Sequence, residues 1–365
     1  MNESLAIPQS LDELRTLLRS ESSILAVGNQ TKKPLASDEQ ARLVSLREIK
    51  GILEYEPSEF TFTAYAGTTI SEVNQTLQQR QQYLPFDPML VDAGATIGGS
   101  VGAGLSGPGR FRYGGLRDFL LGVKFLSGDG EVINSGGKVV KNAAGFDMPR
   151  LLAGSMGRLG VMVEMTFKVF PMPGSHQTLA VACDSLDSAM QRMSVAAASQ
   201  WELDAIDYRP ASNTLFLRLA GPEKVNQTLV RKMIELWGAD VTELPDGDAV
   251  WQSVTELNWA ETSRPLAVKV PVHRSVVDSV VALASQRSGV DLHFSAAGAV
   301  AWLLCESQDD VDELDQVLLA KEVAGLVVRG DYPRPGIGFW PCTNISLAVK
   351  QAMDPVSKFP YLFHT

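Results

Sequence analysis

The chain has 365 residues, of which 45% are hydrophobic and 20% are charged, and this composition is typical of a globular protein rather than of a disordered or fibrous one. Its 42 acidic and 32 basic residues give a formal net charge of −10, which argues against a nucleic-acid partner. No apolar run approaches the roughly 18 residues that a membrane span needs, and a length prior of about 150 residues per domain predicts two domains.

The first predicted elements alternate between helix and strand. Residues 10–20 form an amphipathic helix, because leucines recur at helical spacing behind a Ser-x-x-Glu capping box. Residues 22–28 and 60–67 are strands that each end at a glycine, and a second capping box opens a helix at residue 69. The N-terminal sequence has no basic region followed by an apolar run, so we expect no signal peptide and a cytoplasmic protein.

A glycine-rich stretch, GATIGGSVGAGLSGPG at residues 94–109, follows this part of the chain. Nine of the 22 residues from 94 to 115 are glycine, so the main chain is expected to approach a ligand and point N–H groups at an anion. The stretch contains a literal G-x-G-x-x-G, but two prolines and two aspartates precede it. The following PGRFRYGG is predicted not to open a helix, and a Rossmann fingerprint is therefore disfavoured.

The rest of the chain predicts a hairpin and then a second domain. Residues 120–137 form two strands around a Gly-Asp-Gly turn, and a Pro/Gly cluster at 171–174 marks a domain boundary. Beyond it, helices alternate with short strands such as 214–221 and 298–305, which predicts α+β structure. All six tryptophans follow residue 200, which supports two separate cores. The helices of this part are predicted at 184–198, 223–237, 274–287 and 310–319.

A second anion-binding loop is predicted at Gly28–Lys32, directly after the first strand, where small polar residues and one lysine occur together. Two such loops about 70 residues apart favour a ligand with a diphosphate bridge. The three cysteines are widely spaced and the four histidines form no H-x-x-H pair, so we expect reduced core thiols and no metal or iron–sulfur site.

Several blocks carry a resemblance to a known family. The segments KNAAGFD at 141–147 and GSMGRLGV at 154–161, together with the glycine-rich stretch, resemble the FAD-binding domain of the vanillyl-alcohol oxidase (PCMH) type, which is not a Rossmann fold. Within it the chain is similar to the FAD-binding E-type subunits of bacterial glycolate oxidases over nearly its whole length. The resemblance implies an α+β, two-domain fold with an FAD-binding domain at 1–172, a smaller cap or substrate-like domain at 173–344, and a C-terminal segment at 345–365 that packs back on the first.

The resemblance also implies the cofactor and its contacts. The first diphosphate loop would lie at Gly28–Lys32, and Val27 and Asn29 depart from the family pattern there in a way that weakens FAD binding. Cysteine and histidine are absent before residue 176, so FAD is expected to be non-covalent. The implied cofactor-binding residues are Gly28, Asn29, Gln30, Thr31, Lys32, Ala95, Thr96, Ile97, Gly98, Gly99, Ser106, Gly107, Tyr113, Gly114, Gly160 and Val161.

The implied function is that of an FAD-binding subunit of a glycolate oxidase complex, with a catalytic FAD subunit and an iron–sulfur subunit as partners and a small 2-hydroxy acid as substrate. Catalytic family members use histidines in the second domain, but the equivalent stretch at 294–299 has none, and the adjacent His293 is expected to be structural. No catalytic residue is predicted. A self-sufficient dehydrogenase, an assembly module without FAD, and a carboxylate clamp formed by Arg110 and Arg112 stay open as alternatives.

Overall fold

The computed structural model describes residues 5–36, 38, 41–137, 146–341 and 343–361. The chain divides into two compact units. Unit 1 contains Met1–Leu105, Gly115–Pro171 and Pro341–Thr365, and unit 2 contains Ser106–Gly114 and Met172–Trp340. The residues Lys141–Gly145 of the KNAAGFD block lie outside the described residues.

The helices are α1 (Leu11–Ser20), α2 (Ile70–Gln78), α3 (Ile97–Ala103), α4 (Arg110–Tyr113), α5 (Met148–Leu152), α6 (Leu186–Ala198), α7 (Glu223–Trp237), α8 (Gly247–Thr255), α9 (Arg274–Gln286), α10 (Gln308–Ala320) and α11 (Asn344–Met353). The strands of unit 1 are β1 (Ile24–Val27), β2 (Arg42–Ser45), β3 (Ile52–Glu56), β4 (Thr61–Tyr65), β5 (Gln82–Tyr83), β6 (Leu120–Leu126), β7 (Val132–Gly136), β8 (Val161–Lys168) and β9 (Phe170–Pro171). The strands of unit 2 are β10 (Ser175–Ala182), β11 (Ala205–Arg209), β12 (Thr214–Gly221), β13 (Val241–Leu244), β14 (Leu266–Pro271), β15 (Val290–Ser295), β16 (Val300–Cys305), β17 (Ala324–Arg329) and β18 (Gly336–Gly338).

Unit 1 is built on a five-stranded antiparallel sheet with the order β3-β4-β8-β6-β7, next to a parallel pair formed by β1 and β2. Alternation explains its central strand, because Val163, Met165 and Phe167 of β8 are fully buried while the residues between them are partly exposed. The predicted hairpin is confirmed: β6 and β7 pair around Gly130, whose φ is +76°. An antiparallel sheet of this kind is not the doubly wound parallel sheet of a Rossmann fold.

The glycine-rich stretch is not a loop throughout, and the expectation for it was wrong in part. Residues Ile97–Ala103 form helix α3, which begins at Thr96, whose hydroxyl accepts the Gly99 N–H, and ends at Gly104 with φ +62°. A single helical turn, α4, also forms within PGRFRYGG. Glycine lowers helix propensity, but tertiary packing overrides it here because the absence of a side chain lets α3 lie directly against the residues that follow β4.

Unit 2 is built on a nine-stranded antiparallel sheet with the order β13-β10-β12-β11-β15-β16-β14-β17-β18. The four helices predicted for this part of the chain are present as α6, α7, α9 and α10, with ends within two residues of the predicted ones. Their buried residues pack with one face of the sheet, where Tyr208 and Phe294 stack with ring centroids 6.4 Å apart. The opposite face carries polar residues that include Asp207, His293 and Lys269.

The segment Ser106–Gly114 was expected within the first domain but belongs to unit 2. The physical reason lies in two side chains of α4. Phe111 packs against the core of unit 2, and Arg112 donates to the carboxylate and the carbonyl oxygen of Glu202. A domain boundary placed by sequence order alone cannot show that an earlier segment packs with the second unit, because the contacts are made with residues about 90 positions away.

Candidate functional site

Unit 1 contains a groove between the loop after β1, helix α3 and the start of β8. Polar groups come from the first loop, and the floor is apolar, with Leu46, Ala66 and Met162 among its residues. This combination of an apolar surface with a few polar groups at one side is typical of a cofactor site. The lining residues that sequence analysis had also assigned to the cofactor are Gly28, Asn29, Gln30, Thr31, Lys32, Thr96, Gly98, Gly99 and Gly160.

The first loop provides free hydrogen-bond donors. Within the described part of the chain, no acceptor is bonded to the backbone N–H groups of Asn29, Gln30 and Thr31. Gln30 has a φ of +55°, and a left-handed residue within a loop turns consecutive N–H groups toward one point. The Lys32 side chain is 7% exposed and its ammonium donates to the Thr31 hydroxyl at 3.1 Å. The loop therefore has the donors and the positive charge that a diphosphate requires.

The N–H groups of the second segment, residues 95–99, were expected to bind an anion, but the structure shows that those of Ile97, Gly98 and Gly99 are bonded within the protein. The Ile97 and Gly98 N–H groups donate to the carbonyl oxygens of Thr68 and Ala66, both at 2.8 Å, and the Gly99 N–H donates to the Thr96 hydroxyl. Helix α3 therefore offers no unpaired N–H at this end. A Cβ on Gly98 would lie 2.8 Å from the Ala66 Cβ, whereas Gly99 has only the Thr96 hydroxyl nearby and faces the groove. What Gly99 supplies is space.

Asn29, which departs from the family pattern, connects the two segments. Its side-chain amide donates to the carbonyl oxygen of Gly94 at 2.9 Å. A Cβ on Gly28 would lie 2.2 Å from the Thr96 hydroxyl, so the two segments touch at a point where only glycine fits. The Asn29 side chain therefore holds the loop beside the segment that leads into α3.

The other residues assigned to the cofactor lie elsewhere. Ala95, Ile97 and Val161 are buried beneath the groove surface and do not line it. Ser106, Gly107, Tyr113 and Gly114 belong to unit 2 and are not among the lining residues. Sequence analysis missed Met156, Gly157 and Met162, and the block at 154–161 was the signal that could have located the first two.

One candidate base in unit 2 is His293, which is fully buried. Its Nε2 lies 2.9 Å from an Asp207 carboxylate oxygen, and the other Asp207 oxygen accepts from the Ser295 hydroxyl and the Ala296 N–H. Burial lowers the pKa of His293, although the hydrogen bond to Asp207 opposes that effect. Asp207 and His293 thus hold the turn after β15, where Ala296 and Ala297 both have positive φ, and His293 is structural.

The buried His293 makes stability depend on pH. Its folded-state pKa is lowered, so the unfolded chain, with a histidine pKa of about 6.5, takes up a proton that the folded state does not. Unit 2 should therefore lose stability as the pH falls below about 6.5, and the loss should be smaller in His293→Gln. Urea unfolding followed by tryptophan fluorescence measures this. The exposed His273→Gln is the control, and an equal pH response in all three proteins would contradict the assignment.

Two classes of site have no support in the described ranges. Across these residues, no group of three or more histidine, cysteine, aspartate or glutamate side chains could hold a metal ion. Helices long and apolar enough to cross a membrane are likewise absent from the part of the chain that the structure covers. Cys183 and Cys305 are buried free thiols, and Cys342 lies outside the described residues.

Comparison with known proteins agrees with this site. Residues 3–136 match the model of the FAD binding domain family. The chain is 33% identical over 216 residues to the glycolate oxidase subunit GlcE of Escherichia coli (strain K12), covering 58% of this chain and 60% of that protein. It is 28% identical over 200 residues to the glycolate oxidase subunit GlcD of Bacillus subtilis (strain 168), covering 53% and 42%. The chain thus spans less than two thirds of either relative.

A solved structure shows the fold over nearly the whole chain. An alkyldihydroxyacetonephosphate synthase superposes with a TM-score of 0.69 at 15% identity, covering 97% of this chain and 74% of that one. At this identity the likeness concerns the fold alone. The first loop offers free N–H donors, and glycines stand where a ligand or another segment comes close. Both features fit the cofactor of the matching family. The chain therefore contains an FAD binding domain over residues 3–136, its fold is that of the alkyldihydroxyacetonephosphate synthase, and its cofactor is FAD.

Proposed function

We propose that the chain is an FAD-binding subunit of a cytoplasmic complex that oxidises glycolate or a related 2-hydroxy acid, with a catalytic FAD subunit and an iron–sulfur subunit as partners. The similarity to a protein named as a glycolate oxidase subunit supports this proposal, and the groove of unit 1 is the observation that carries it. The chain is accordingly an FAD-dependent oxidoreductase subunit, and not an assembly module that has lost its cofactor.

The residues of unit 1 bind and orient the cofactor. The N–H groups of Asn29, Gln30 and Thr31 and the Lys32 ammonium would hold its diphosphate, and the apolar floor at Ala66 and Met162 would exclude water from it. FAD, when bound, supplies the acceptor for a hydride and a relay for electrons. Cysteine and histidine do not occur among the described residues that line the groove, which supports non-covalent binding.

The accessory role is supported by what surrounds His293. Oxidation of a 2-hydroxy acid needs a base that takes the hydroxyl proton as the hydride leaves. His293 is fully buried and bonded to Asp207, so its ring does not reach a substrate. Transfer of the proton is therefore assigned to the partner subunit.

A second candidate function, a self-sufficient 2-hydroxy-acid dehydrogenase, is favoured by one observation. Burial, and the nearby Arg110 to a smaller extent, lower the pKa of Lys269 to about 8. A lysine with such a pKa can take up or release a proton near neutral pH. Lys269 is the side chain that would serve as the base if the chain acted alone.

Anaerobic flavin bleaching distinguishes the two functions. The flavin of the isolated FAD-loaded chain should not bleach when glycolate or D-lactate is added. Positioned proton transfer is worth about 10² to 10⁴ in rate, and an accessory subunit has no base to provide it. Flavin released into the supernatant by acid precipitation gives the FAD content of each sample. Rapid bleaching by the isolated chain, lost in Lys269→Met, would establish the second candidate instead.

The complex is tested by reconstitution. Dye reduction with glycolate should require this chain together with a larger FAD subunit and an iron–sulfur subunit from the same source. If the larger subunit alone reduces the dye at the full rate, this chain has no part in the reaction. A variant of this chain that binds no FAD separates electron relay from a purely structural contribution.

A further inference from the structure

The outer edge of strand β7 is unpaired in the part of the chain that the structure describes. β7 is the last strand of the five-stranded sheet of unit 1, and there it pairs only with β6. Val132 and Ile133 are 44% and 37% exposed, although they point to opposite faces of the strand. Ile133 stands across from Phe125, which is 1% exposed, so the core face of the sheet extends to an edge where its last apolar side chain meets solvent.

The outward-pointing backbone groups of this edge belong to Val132 and Asn134. The Ser127 N–H donates to the Glu131 carbonyl oxygen across the hairpin, so these two residues form a hydrogen-bonded pair. Such pairs alternate with non-hydrogen-bonded pairs along an antiparallel ladder, and Ile133 is therefore in the next pair that bonds to β6. The N–H and C=O groups of Val132 and Asn134 then point away from β6, toward the outer edge.

The other edges of the two large sheets are protected against pairing with another chain. β3 carries Glu54 and Glu56 and is followed by Pro57, β13 carries Glu243, and β18 is three residues long and follows Pro335. Charges, prolines and short strands are features by which natural sheets block their edges. β7 has none of them, because its sequence, VINSG, is uncharged, contains no proline and spans five residues.

We infer that β7 pairs with β7 of a second copy of this chain, antiparallel and about a twofold axis at Ile133. In this register Val132 lies across from Asn134 of the second copy, so the outward N–H and C=O groups of both residues find partners. The two Ile133 side chains meet on the axis, which buries the apolar surface that one chain leaves exposed. The five-stranded sheets of the two copies then form one continuous sheet whose two ends are the protected β3 strands.

Charge favours this place for the approach of a second copy. The chain carries a formal net charge of −10, so two copies repel each other wherever acidic surfaces meet. β7 is uncharged, and the carboxylate nearest to it in sequence, Glu131, falls across from Ser135 of the second copy rather than from another carboxylate. A twofold contact closes after two copies and does not extend into a fibre. The dimer involves unit 1 alone and depends neither on FAD nor on the proposed function.

Analytical ultracentrifugation of the full chain under reducing conditions tests for the dimer. The mass should rise from 39.5 kDa toward twice that value as the concentration is raised to roughly 100 µM, which populates complexes with micromolar dissociation constants. Asn134→Pro removes an outward N–H, and Val132→Lys adds a charge at the edge, so both should stay monomeric. Leu53→Lys, equally exposed on β3, is the control and should dimerise like the original chain.

A cross-link tests the register. Residues of a non-hydrogen-bonded antiparallel pair have Cα atoms about 4.5 Å apart, within the range of about 4.4–6.8 Å that a disulfide spans. Ile133→Cys should therefore form a disulfide-linked dimer under mild oxidation, which a non-reducing gel shows. The original chain and Leu53→Cys should form no such dimer.

Three results would overturn the β7 dimer: an original chain that stays monomeric, a dimer unchanged in Val132→Lys, or no cross-link in Ile133→Cys. FAD content and urea unfolding of the same samples show which variants are folded, and a misfolded Asn134→Pro leaves Val132→Lys and the cross-link as tests. A monomeric chain whose Val132→Lys variant no longer binds the larger FAD subunit would also overturn the dimer and assign this edge to that partner.

Discussion

Gly99→Val should reduce FAD affinity by about 10- to 100-fold while leaving unit 1 folded. Gly99 lines the groove, and a Cβ there would have only the Thr96 hydroxyl within 4 Å, at 3.1 Å. The added methyl groups therefore extend into the space of the cofactor rather than into the protein core. Overpacking of this size typically costs about 1–3 kcal/mol, which corresponds to that range of affinity. Titration of the FAD-free protein, followed by quenching of flavin fluorescence, measures the change.

Gly137→Val is the matched control, since a Cβ at Gly137 would have no heavy atom of the described residues within 4 Å and the residue is not among the groove lining. It should bind FAD like the original chain. Gly98→Val gives the opposite pattern, because its Cβ would lie 2.8 Å from the Ala66 Cβ and 3.0 Å from the Ala66 carbonyl oxygen. That variant should lose stability and FAD together. Equal loss of FAD in Gly99→Val and Gly137→Val would show general misfolding, and the groove would lose its assignment.

Lys350→Met should destabilise unit 1 by about 3 kcal/mol, because it removes one partner of a buried ion pair. Lys350 is 6% exposed, and its ammonium donates to Asp354 at 2.5 Å and to the carbonyl oxygens of Arg158 and Phe359. Asp354 is 1% exposed and would keep only the N–H groups of Lys358 and Phe359 as donors. Its charge would then be buried without a cation.

The loss should reach the FAD groove, because Arg158 connects the C-terminal segment to the groove wall. The Arg158 guanidinium donates to the carbonyl oxygens of Tyr361 and of Leu35, and Leu35 lines the groove. Urea unfolding and limited proteolysis of the C-terminal segment measure the effect. Gln351→Met, exposed on the same helix, is the control and should behave like the original chain. Unchanged proteolysis in Lys350→Met would mean that the ion pair does not anchor this segment.

Local patterns in the sequence were sufficient for most secondary structure and for the first loop. The capping boxes at Ser10 and Thr69 and the alternation in β8 act between neighbours in the chain, so their energies can be read without the fold. The glycine at position 28 and the polar residues after it identified the loop that carries the free N–H groups. The resemblance of distant blocks then supplied the fold and the cofactor.

The fate of the glycine-rich stretch depended on tertiary contacts. Its composition predicts weak helix formation, yet α3 forms because Gly98 packs against Ala66 and their backbones are hydrogen-bonded at 2.8 Å. The same contacts occupy the N–H groups that had been expected to bind phosphate. From the sequence, Asn29 was predicted to weaken FAD binding. Only the fold shows that its side-chain amide donates to the carbonyl oxygen of Gly94, 65 residues later.

By itself the sequence determined the first anion-binding loop, which follows from residue identity and local spacing, and its resemblance to a known family indicated the FAD-binding fold. Only the tertiary structure decided which N–H groups of the described residues are free, that Ser106–Gly114 joins unit 2, and that His293 is buried against Asp207. Burial and pairing are properties of surroundings assembled from distant parts of the chain. The sequence identifies a charged residue but does not show whether its partner is a carboxylate, a ligand or water.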